Sequence, residues 1–217
     1  MISIANPRLA ILISGRGSNM QSIIEACQAK ALKADVCVVI SNNPKSSGLV
    51  FAEASGLKTE CINHRDYISR ELFDEALLSA LNSAEADIVI LAGFIRILTP
   101  ILINPFLGRL INIHPSLLPK YPGLNTHQRA IDAGDNEAGA TVHFVTKELD
   151  DGPSIIQARV PILADDSADT LAARVLEKEH EIYLKSLGLL IEKRIELRCG
   201  KVFFEGTALP SSGILHD

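Results

Sequence analysis

Apolar runs alternate with helical patterns along most of this chain, and that alternation constrains the fold more than any other feature. The run Leu9–Ser14 is continuous and rich in branched side chains, which is typical of a strand buried on both faces. After a glycine-containing turn, residues 19–28 place Ile23, Ile24 and Cys27 on one helical face. Strand–helix units of this kind predict an α/β fold with a largely parallel sheet.

The other predicted elements continue this pattern along the chain. Further strands are expected at 36–41, 59–62, 87–92, 110–114, 141–146 and 155–160, and further helices at 48–55, 70–83, 126–132 and 167–193, with a short one after Pro100. A Gly-containing turn joins the last two strands, so they are expected to form a hairpin that adds a late antiparallel strand to the sheet. The tail, 196–217, is expected to form a small hairpin with an irregular end.

Length and composition predict a single domain spanning residues 1–217. Of the 217 residues 47% are hydrophobic, which is enough for one sizeable core. The net charge is −5 and no basic run stands out, so neither a nucleic acid nor a membrane is an expected partner. Four widely spaced cysteines form no C-x-x-C pair, which predicts reduced thiols in a cytoplasmic protein.

The segment Leu110–His114 carries the clearest indication of chemistry. Side chains alternate along a strand, so Asn112 and His114 are expected on one face and the isoleucines beside them on the other. An amide donor next to an imidazole suits acyl-group chemistry, because one can stabilise an oxyanion and the other can carry a proton. The alternative is a buried strand whose polar residues only cap its end.

A second segment, Gly139–Pro153, offers a carboxylate for that imidazole. Asp150 and Asp151 both precede a glycine, and the residues alone do not choose between them. A carboxylate beside His114 would favour the charged imidazole and fix its tautomer; otherwise each aspartate is a solvated turn residue. His143 alternates with apolar neighbours and is expected to be a hydrogen-bonded structural histidine.

The turn after the first strand, Gly15–Asn19, has the composition of an anion-binding loop. Backbone N–H groups at a helix N-terminus bind anions, and glycines allow close approach. A dinucleotide fingerprint is excluded because Met20 occupies its third glycine position, and a P-loop is excluded because Gly-Lys-Ser/Thr is absent. Two interpretations remain: a site for one small phosphate, with Ser18 and Asn19 adding side-chain bonds, or an ordinary tight turn capped by Asn19.

A resident metal is not expected. A site built from His114, His127 and Asp150 is disfavoured because the sequence shows no tight spacing of His, Asp and Glu ligands. His127 lies near the central loop and is a candidate for contact with a small-molecule ligand. We therefore predict small-molecule substrates and no metal.

Four motifs in order resemble the phosphoribosylglycinamide formyltransferase family of folate-dependent enzymes, over residues 9 to about 183. They are Ile13–Asn19, Leu91–Leu98, Asn112–Gly123 and Gly139–Pro153. The resemblance implies a Rossmann-like three-layer sandwich, the formyltransferase fold. It also implies direct transfer of the formyl group of 10-formyltetrahydrofolate to the amine of glycinamide ribonucleotide, through a tetrahedral intermediate, in purine biosynthesis.

The resemblance implies three catalytic residues. Asn112 and His114 would stabilise and protonate the oxyanion. Asp150, the first of the two aspartates, would keep His114 charged and order a water that relays protons. The residues implied for the ribonucleotide are Gly17, Ser18 and Asn19 at its phosphate and Glu179 near its glycinamide end.

Folate binding is implied for further positions along the chain. The implied residues are Arg70, Ile95, Arg96, Ile97, Leu98, Asn112, Val145, Thr146, Lys147, Glu148 and Leu149. Arg70 would meet the glutamate tail, and backbone near 145–149 would contact the pterin edge. The alternatives are plain core packing for the apolar side chains of 95–98 and a surface ion pair of little value for Arg70.

The sequence departs from the family pattern at three positions. Arg16 stands where a smaller polar residue, often Asn, is expected. Ile95 replaces a frequent Met, and Asn125 replaces a frequent His. None of these changes removes a proposed catalytic group, although any ligand contact through a histidine at position 125 is lost.

Other formyl-folate enzymes share part of the pattern. Methionyl-tRNA formyltransferase carries a further C-terminal domain and a basic tRNA surface, whereas this chain is acidic. Formyltetrahydrofolate hydrolase, the main alternative, normally carries an N-terminal regulatory domain and has less need of the loop Gly17–Asn19. A non-enzymatic nucleotide-binding module is disfavoured by the joint presence of Asn112, His114 and Asp150.

The oligomeric state expected for the protein is a monomer or a homodimer.

Overall fold

The computed structural model describes residues 6–216, and internal contacts group the chain into two units, Met1–Leu110 and Ile111–Asp217. The single domain expected over 1–217 stays a prediction. No helix within residues 6–216 is both long and apolar enough to cross a membrane.

The first unit contains the predicted strand–helix alternation. Its elements are β1 (Arg8–Ile13), α1 (Ser18–Gln28), β2 (Asp35–Ser41), α2 (Ser47–Ala54), β3 (Thr59–Cys61), α3 (Arg70–Ser83), β4 (Ile88–Leu91) and α4 (Pro100–Ile103), with short 3₁₀ helices at His64–Asp66 and Asn104–Phe106. Residues 9–13 of β1 are fully buried, as expected for a strand covered on both faces. Ser69 caps α3 by accepting a hydrogen bond from the Leu72 amide.

The strands of the first unit are parallel and lie in the order β4-β1-β2-β3. The chain therefore runs from β1 toward one edge and returns to the other side of β1 to form β4. At such a reversal the loops after the two neighbouring strands diverge, and ligands of open α/β sheets bind outside the carboxyl ends of those strands. The loops concerned are residues 14–17, after β1, and 92–99, after β4.

The second unit contains the antiparallel strand. Its elements are β5 (Leu110–His114), α5 (Thr126–Asp132), β6 (Glu137–Phe144), β7 (Ser154–Pro161), α6 (Ala168–Ile191), β8 (Ile195–Arg198), β9 (Lys201–Phe204), β10 (Thr207–Ala208) and β11 (Ile214–His216). The strand order is β5-β6-β7-β11, in which β6 is antiparallel to both β5 and β7 and β11 is parallel to β7. The predicted hairpin is therefore confirmed.

A capping box starts the long helix α6. The Ser167 hydroxyl accepts a hydrogen bond from the Thr170 amide, and the Thr170 hydroxyl accepts one from the Ser167 amide. Asp169 lies in the first turn, where a negative charge is favourable. Its buried side chains include Leu171, Val175 and Ile182, which recur at helical spacing on one face.

Two predictions for the second unit are wrong, one about a strand end and one about the tail. β6 ends at Phe144, two residues before the predicted end, because residues 145–153 form a loop that reverses the chain. The irregular end predicted for the tail is replaced by β11 at Ile214–His216, and Asp217 lies outside the described residues. At Gly213, where φ is 71°, a Cβ atom would lie 2.5 Å from the Ile155 carbonyl oxygen, so β11 approaches β7 closely. A three-residue strand is too short to show periodicity in sequence.

Candidate active site

Strand β5 presents the predicted pair of polar side chains, Asn112 and His114. Ile111 is fully buried and Ile113 is 6% exposed, and alternation places Asn112 and His114 on the opposite face. β5 ends at His114, where Pro115 follows and the Ser116 amide turns back to donate to the His114 carbonyl at 2.9 Å. The strand therefore delivers both groups to its carboxyl end.

His114 is held between two acceptors. Its Nε2 donates to the Tyr121 carbonyl oxygen at 2.9 Å, and its Nδ1 lies 3.5 Å from Asp150 Oδ2. The His114 and Asp150 side chains are only 6% and 10% exposed. A carbonyl accepts but never donates, so Nε2 carries a proton, and the Asp150 carboxylate is placed to accept a hydrogen bond from an Nδ1–H group. Both ring nitrogens of His114 therefore face hydrogen-bond acceptors.

Asp150 lies on the loop 145–153, in the left-handed region at φ 51°. Besides facing His114, its Oδ2 accepts a hydrogen bond from the Gly123 amide at 2.8 Å. This bond ties the loop that carries Asp150 to the loop that follows β5. Asp151, the other aspartate that the residues left open, is exposed. The structure therefore brings Asp150, and not Asp151, to the imidazole.

Gly152 determines the path of that loop. A Cβ atom at this position would lie 1.7 Å from the Phe144 carbonyl oxygen, a distance that no side chain tolerates. The chain after Asp150 therefore passes directly against the end of β6. The Asp-Asp-Gly sequence indicates a turn, but only the contact with β6 shows why the glycine is required.

His143 orients the Asn112 side chain, a role that sequence reasoning missed. His143 is 2% exposed, and its Nδ1 donates to the Phe144 carbonyl oxygen at 3.0 Å. Its Nε2 then accepts from Asn112 Nδ2 at 3.2 Å, which leaves the second N–H of the amide for a ligand. Burial lowers the pKa of His143, although the Phe144 carbonyl and Asp150 oppose that effect. The expected structural, hydrogen-bonded histidine is confirmed.

We expect part of the stability of this protein at neutral pH to depend on neutral His143. The folded state keeps His143 neutral, whereas the unfolded chain binds a proton below the ordinary histidine pKa of about 6.5. The contribution is therefore complete above that pH and is lost as the pH falls toward the folded-state pKa. Melting temperatures should fall less for His143→Gln than for the wild type between about pH 8 and about pH 5.

The glutamine variant is a matched control because it offers a donor and an acceptor but does not titrate. Burial and the neighbouring His114 also lower the pKa of His127, but His127 titrates in both proteins and its effect cancels. Equal falls in melting temperature in the two proteins would show that His143 does not contribute.

Buried hydrogen bonds fix the turn after β5. The Thr141 hydroxyl donates to the Ser116 carbonyl at 2.7 Å and accepts from the Leu118 amide at 3.1 Å. Gln157 Nε2 donates to the Leu118 carbonyl at 2.7 Å. Sequence reasoning missed Thr141 and Gln157, because neither residue lies in a motif with His114; they are neighbours only through strand pairing.

The glycine loop of the first unit ends in a helix N-terminus. Gly17 is the N-cap of α1, at φ 69°, and no side chain caps the helix. The cap assigned to Asn19 by the tight-turn interpretation is wrong, because α1 begins at Ser18 and Asn19 lies inside it. No acidic residue lies in the first turn, so the amides of the first turn face no internal negative charge. The backbone is thus arranged as an anion site requires.

The folate residues predicted in the first unit lie on α3 and on the loop after β4. Arg70 is the first residue of α3 and is exposed. Ile95 is 65% exposed and Ile97 is 47% exposed, so the alternative interpretation, in which these side chains pack in the core, is wrong for both. Leu98, by contrast, is buried, as the core-packing alternative expected. The Arg96 guanidinium lies 5.9 Å from the centre of the Phe73 ring.

The remaining predicted residues lie in the second unit. Residues 145–149 form the first half of the loop that carries Asp150, and Lys147, Glu148 and Leu149 are exposed. Glu179 is buried in α6. Asn125 caps α5 in the left-handed region, at φ 57°. In the part of the chain that the structure describes, no three His, Cys, Asp or Glu residues gather as metal ligands.

Comparison with known proteins places this arrangement in a family. The family model described as formyl transferase matches residues 7–187 of the chain. The chain belongs to the formyl transferase family. The matched residues include β5, the loop that carries Asp150 and the glycine loop before α1, so the predicted family is confirmed.

Individual relatives agree with this assignment. Phosphoribosylglycinamide formyltransferase of Escherichia coli (strain K12) is 44% identical over 209 residues, which cover 96% of this chain and 99% of that relative. Trifunctional purine biosynthetic protein adenosine-3 of Drosophila melanogaster is 46% identical over 193 residues, which cover 88% of this chain but 14% of that protein. The match to the second relative therefore concerns one part of a larger protein.

A solved structure supports the fold. Phosphoribosylglycinamide formyltransferase from Coxiella burnetii in complex with CHES has a TM-score of 0.93 and 41% identity to this formyltransferase, and the match covers 98% of this chain and 100% of that one. The predicted α/β formyltransferase fold, with its mostly parallel sheet and late antiparallel strand, is confirmed, as is the predicted class of enzyme, a one-carbon transferase. None of these relatives is a hydrolase, so the hydrolase alternative has no support.

Proposed function

We propose that this enzyme transfers the formyl group of 10-formyltetrahydrofolate to the amine of glycinamide ribonucleotide, which yields the N-formyl product in purine biosynthesis. The observation that carries the proposal is the contact of His114 with Asp150 at the end of the strand that also presents Asn112. The Escherichia coli relative, 44% identical over 96% of the chain, has the corresponding name.

The chemistry follows from these three groups. The substrate amine attacks the formyl carbon, and the carbonyl oxygen becomes the oxyanion of a tetrahedral intermediate. The free N–H of Asn112 and the charged His114 ring are suited to stabilise that oxygen. Collapse of the intermediate breaks the bond to the folate nitrogen, which takes a proton, while the amine loses one. Asp150 would hold His114 charged and order the water that relays this proton.

His114 must exchange one partner to take part. Both of its nitrogens face protein acceptors, the Tyr121 carbonyl and the Asp150 carboxylate. Because Nδ1 remains bonded to the carboxylate, the Nε2–H group is the donor that changes partner. It would leave the Tyr121 carbonyl oxygen and donate to the developing oxyanion. A charged acceptor forms the stronger hydrogen bond, so the exchange is favoured only as negative charge develops on the substrate.

Ribonucleotide binding is assigned to the N-terminus of α1. The amides of Ser18 and Asn19 and the turn at Gly17 suit one phosphate group, and the side chains of Ser18 and Asn19 would add hydrogen bonds to it. Glu179 would contact the glycinamide end. We expect the double variant Ser18→Ala with Asn19→Ala to raise the KM for the ribonucleotide about tenfold or more, because each hydrogen bond to a charged group contributes about 1.5–3 kcal/mol.

Steady-state kinetics at a saturating concentration of the other substrate will measure this effect, and the KM for the folate should change little. Ser22→Ala is a suitable control, because the Ser22 hydroxyl bonds the Asn19 carbonyl at 2.9 Å on the same helix. An equal rise in both KM values would argue against a phosphate site.

The folate is assigned to the exposed side chains near the loop after β4. Arg70 and Arg96 would pair with carboxylates of the glutamate tail, and Ile95 and Ile97 would cover apolar parts of the ligand. Backbone groups of Val145–Leu149 would bond the pterin edge, with Asn112 near the formyl group. We propose that Leu98 acts through packing.

An assay with and without the acceptor tests the function. Purified protein is mixed with 10-formyltetrahydrofolate, with or without glycinamide ribonucleotide, and formyl-folate, formate and formylated ribonucleotide are measured. Loss of formyl-folate only with the ribonucleotide, with formylated product, is expected. Equal loss in both mixtures, with release of formate, would establish a hydrolase, and no loss in either would refute both.

For the remaining properties we propose a cytoplasmic monomer or homodimer that acts on small molecules and needs no metal. The proposal is supported by a net charge of −5 without a basic run, which disfavours nucleic acid and anionic membranes as partners. Cys27, Cys37, Cys61 and Cys199 are free thiols, as is usual in a reducing compartment.

A further inference from the structure

We infer that Ser14 is a positioning residue that couples ribonucleotide binding to folate binding within the first unit. The inference rests on the proposed function, which assigns the ribonucleotide phosphate to the loop Gly15–Asn19 and the folate to the segment Gly93–Thr99. Ser14 belongs to neither set of predicted contacts. It lies between β1 and the glycine loop and bonds directly to the other segment.

Three hydrogen bonds of Ser14 join three loops. Its hydroxyl oxygen accepts from the Ile95 amide at 2.7 Å, and its own amide donates to the Gly93 carbonyl at 3.1 Å. Its carbonyl accepts from Asn43 Nδ2, after β2, at 3.2 Å. Only the first of these bonds depends on the side chain, so it can be removed without deleting backbone contacts.

The topology gives that bond its position. β1 and β4 are neighbours, and the order of the strands reverses between them. The loops that follow these two strands therefore diverge at the point where ligands of open α/β sheets bind. The bond from the Ile95 amide to the Ser14 hydroxyl oxygen bridges these two loops just as they separate.

The far end of the folate segment is anchored separately. The buried Asp74 carboxylate of α3, which is 1% exposed, accepts a hydrogen bond from the Thr99 amide. Between this anchor and Ser14, the side chains of Ile95 and Ile97 are 65% and 47% exposed. The segment is thus held at its two ends and presents its middle to a ligand, with Ser14 at the end nearest the glycine loop.

This arrangement predicts positive coupling between the two substrates. A phosphate that orders Gly15–Asn19 also fixes Ser14, and through it the amide of Ile95. Folate binding then costs less conformational free energy, because the segment Gly93–Thr99 is already partly ordered. The effect is reciprocal: bound folate favours ribonucleotide binding in the same way. Without the hydroxyl, Ile95 loses its acceptor, and each loop is ordered by its own ligand alone.

Calorimetric titration with tetrahydrofolate, which carries no formyl group to transfer, will measure the coupling. The coupling factor is the ratio of its Kd without and with saturating glycinamide ribonucleotide. We expect a factor of about five or more for the wild type, about one for Ser14→Ala, and recovery for Ser14→Thr, which restores the acceptor. The melting temperature of each variant is measured alongside.

Ser46→Ala is the matched control. The buried Ser46 hydroxyl donates to the Gly15 carbonyl at 2.6 Å, so this variant disturbs the same loop without touching the folate segment. It should keep the wild-type coupling factor. An unchanged factor in Ser14→Ala, or a factor of about one in the wild type, would overturn the inference.

Failure of the proposed function is a separate result. If the wild type shows no ribonucleotide-dependent formyl transfer, the function itself is refuted. If transfer occurs and the coupling factor does not depend on Ser14, only the inference fails. Should Ser14→Ala not fold, Ser14→Cys replaces it, because a thiol keeps the volume but is a weak acceptor.

Discussion

Replacement of His114 by alanine is expected to lower kcat about 10²- to 10⁴-fold, which is the usual contribution of a positioned general acid or base. The reason is geometric. The ring is buried, it is held between the Tyr121 carbonyl and the Asp150 carboxylate, and it is the group that can place a proton on the developing oxyanion. Steady-state kinetics should show the loss in kcat with a modest change in either KM, because His114 acts on the transition state.

Two further measurements make this result specific. Added imidazole should restore part of the activity of His114→Ala, since the substitution leaves a ring-sized space beside Asp150. His216→Ala, which removes a half-buried histidine paired with the exposed Glu181, should leave kcat unchanged. Turnover near that of the wild type in His114→Ala would contradict the assigned role.

Replacement of Asp150 by asparagine is expected to lower kcat by at least about a hundredfold, whereas the same change at Asp151 should have little effect. An amide at position 150 can still accept the hydrogen bond from the Gly123 amide, so the loop is expected to stay in place. The substitution Asp150→Asn removes only the negative charge that lies 3.5 Å from His114 Nδ1. In serine proteases the corresponding change beside a catalytic histidine lowers kcat about 10⁴-fold.

The two aspartates form a matched pair on one loop. Asp151→Asn makes the same chemical change one residue further on, at an exposed position. Kinetics of both variants therefore separate the contact with His114 from the general charge of the loop. A similar loss in both variants, or none in Asp150→Asn, would contradict the role proposed for the carboxylate.

The fold was predictable wherever a segment carried its own apolar pattern, either a continuous run or a helical period. β1 and α3 are examples: the first is a continuous apolar run buried on both faces, and the second is an amphipathic helix with a serine cap. β11 was not predictable, because three residues show no period and their place is decided by pairing with β7. The end of β6 was also missed, since the turn at Gly152 depends on contact with the Phe144 carbonyl.

The candidate site divides in the same way. Alternation along β5 was enough to place Asn112 and His114 on one face. The residues that support them were not evident from sequence. His143 orients the Asn112 amide, and the Tyr121 carbonyl and Gly123 amide complete the surroundings of His114 and Asp150. Backbone groups have no residue type to recognise, so sequence reasoning cannot identify them as partners.

The α/β class, the types of the main elements and the residue types that suit acyl chemistry could be predicted from sequence, because these depend on local apolar patterns and on chemistry carried by single side chains. The choice of Asp150 over Asp151, the position of Gly17 as the cap of α1 and the bond from the Ile95 amide to the Ser14 hydroxyl oxygen come from tertiary contacts. Each of these depends on which loops meet after strands distant in sequence pair, and hydrogen bonds between such loops have no local pattern.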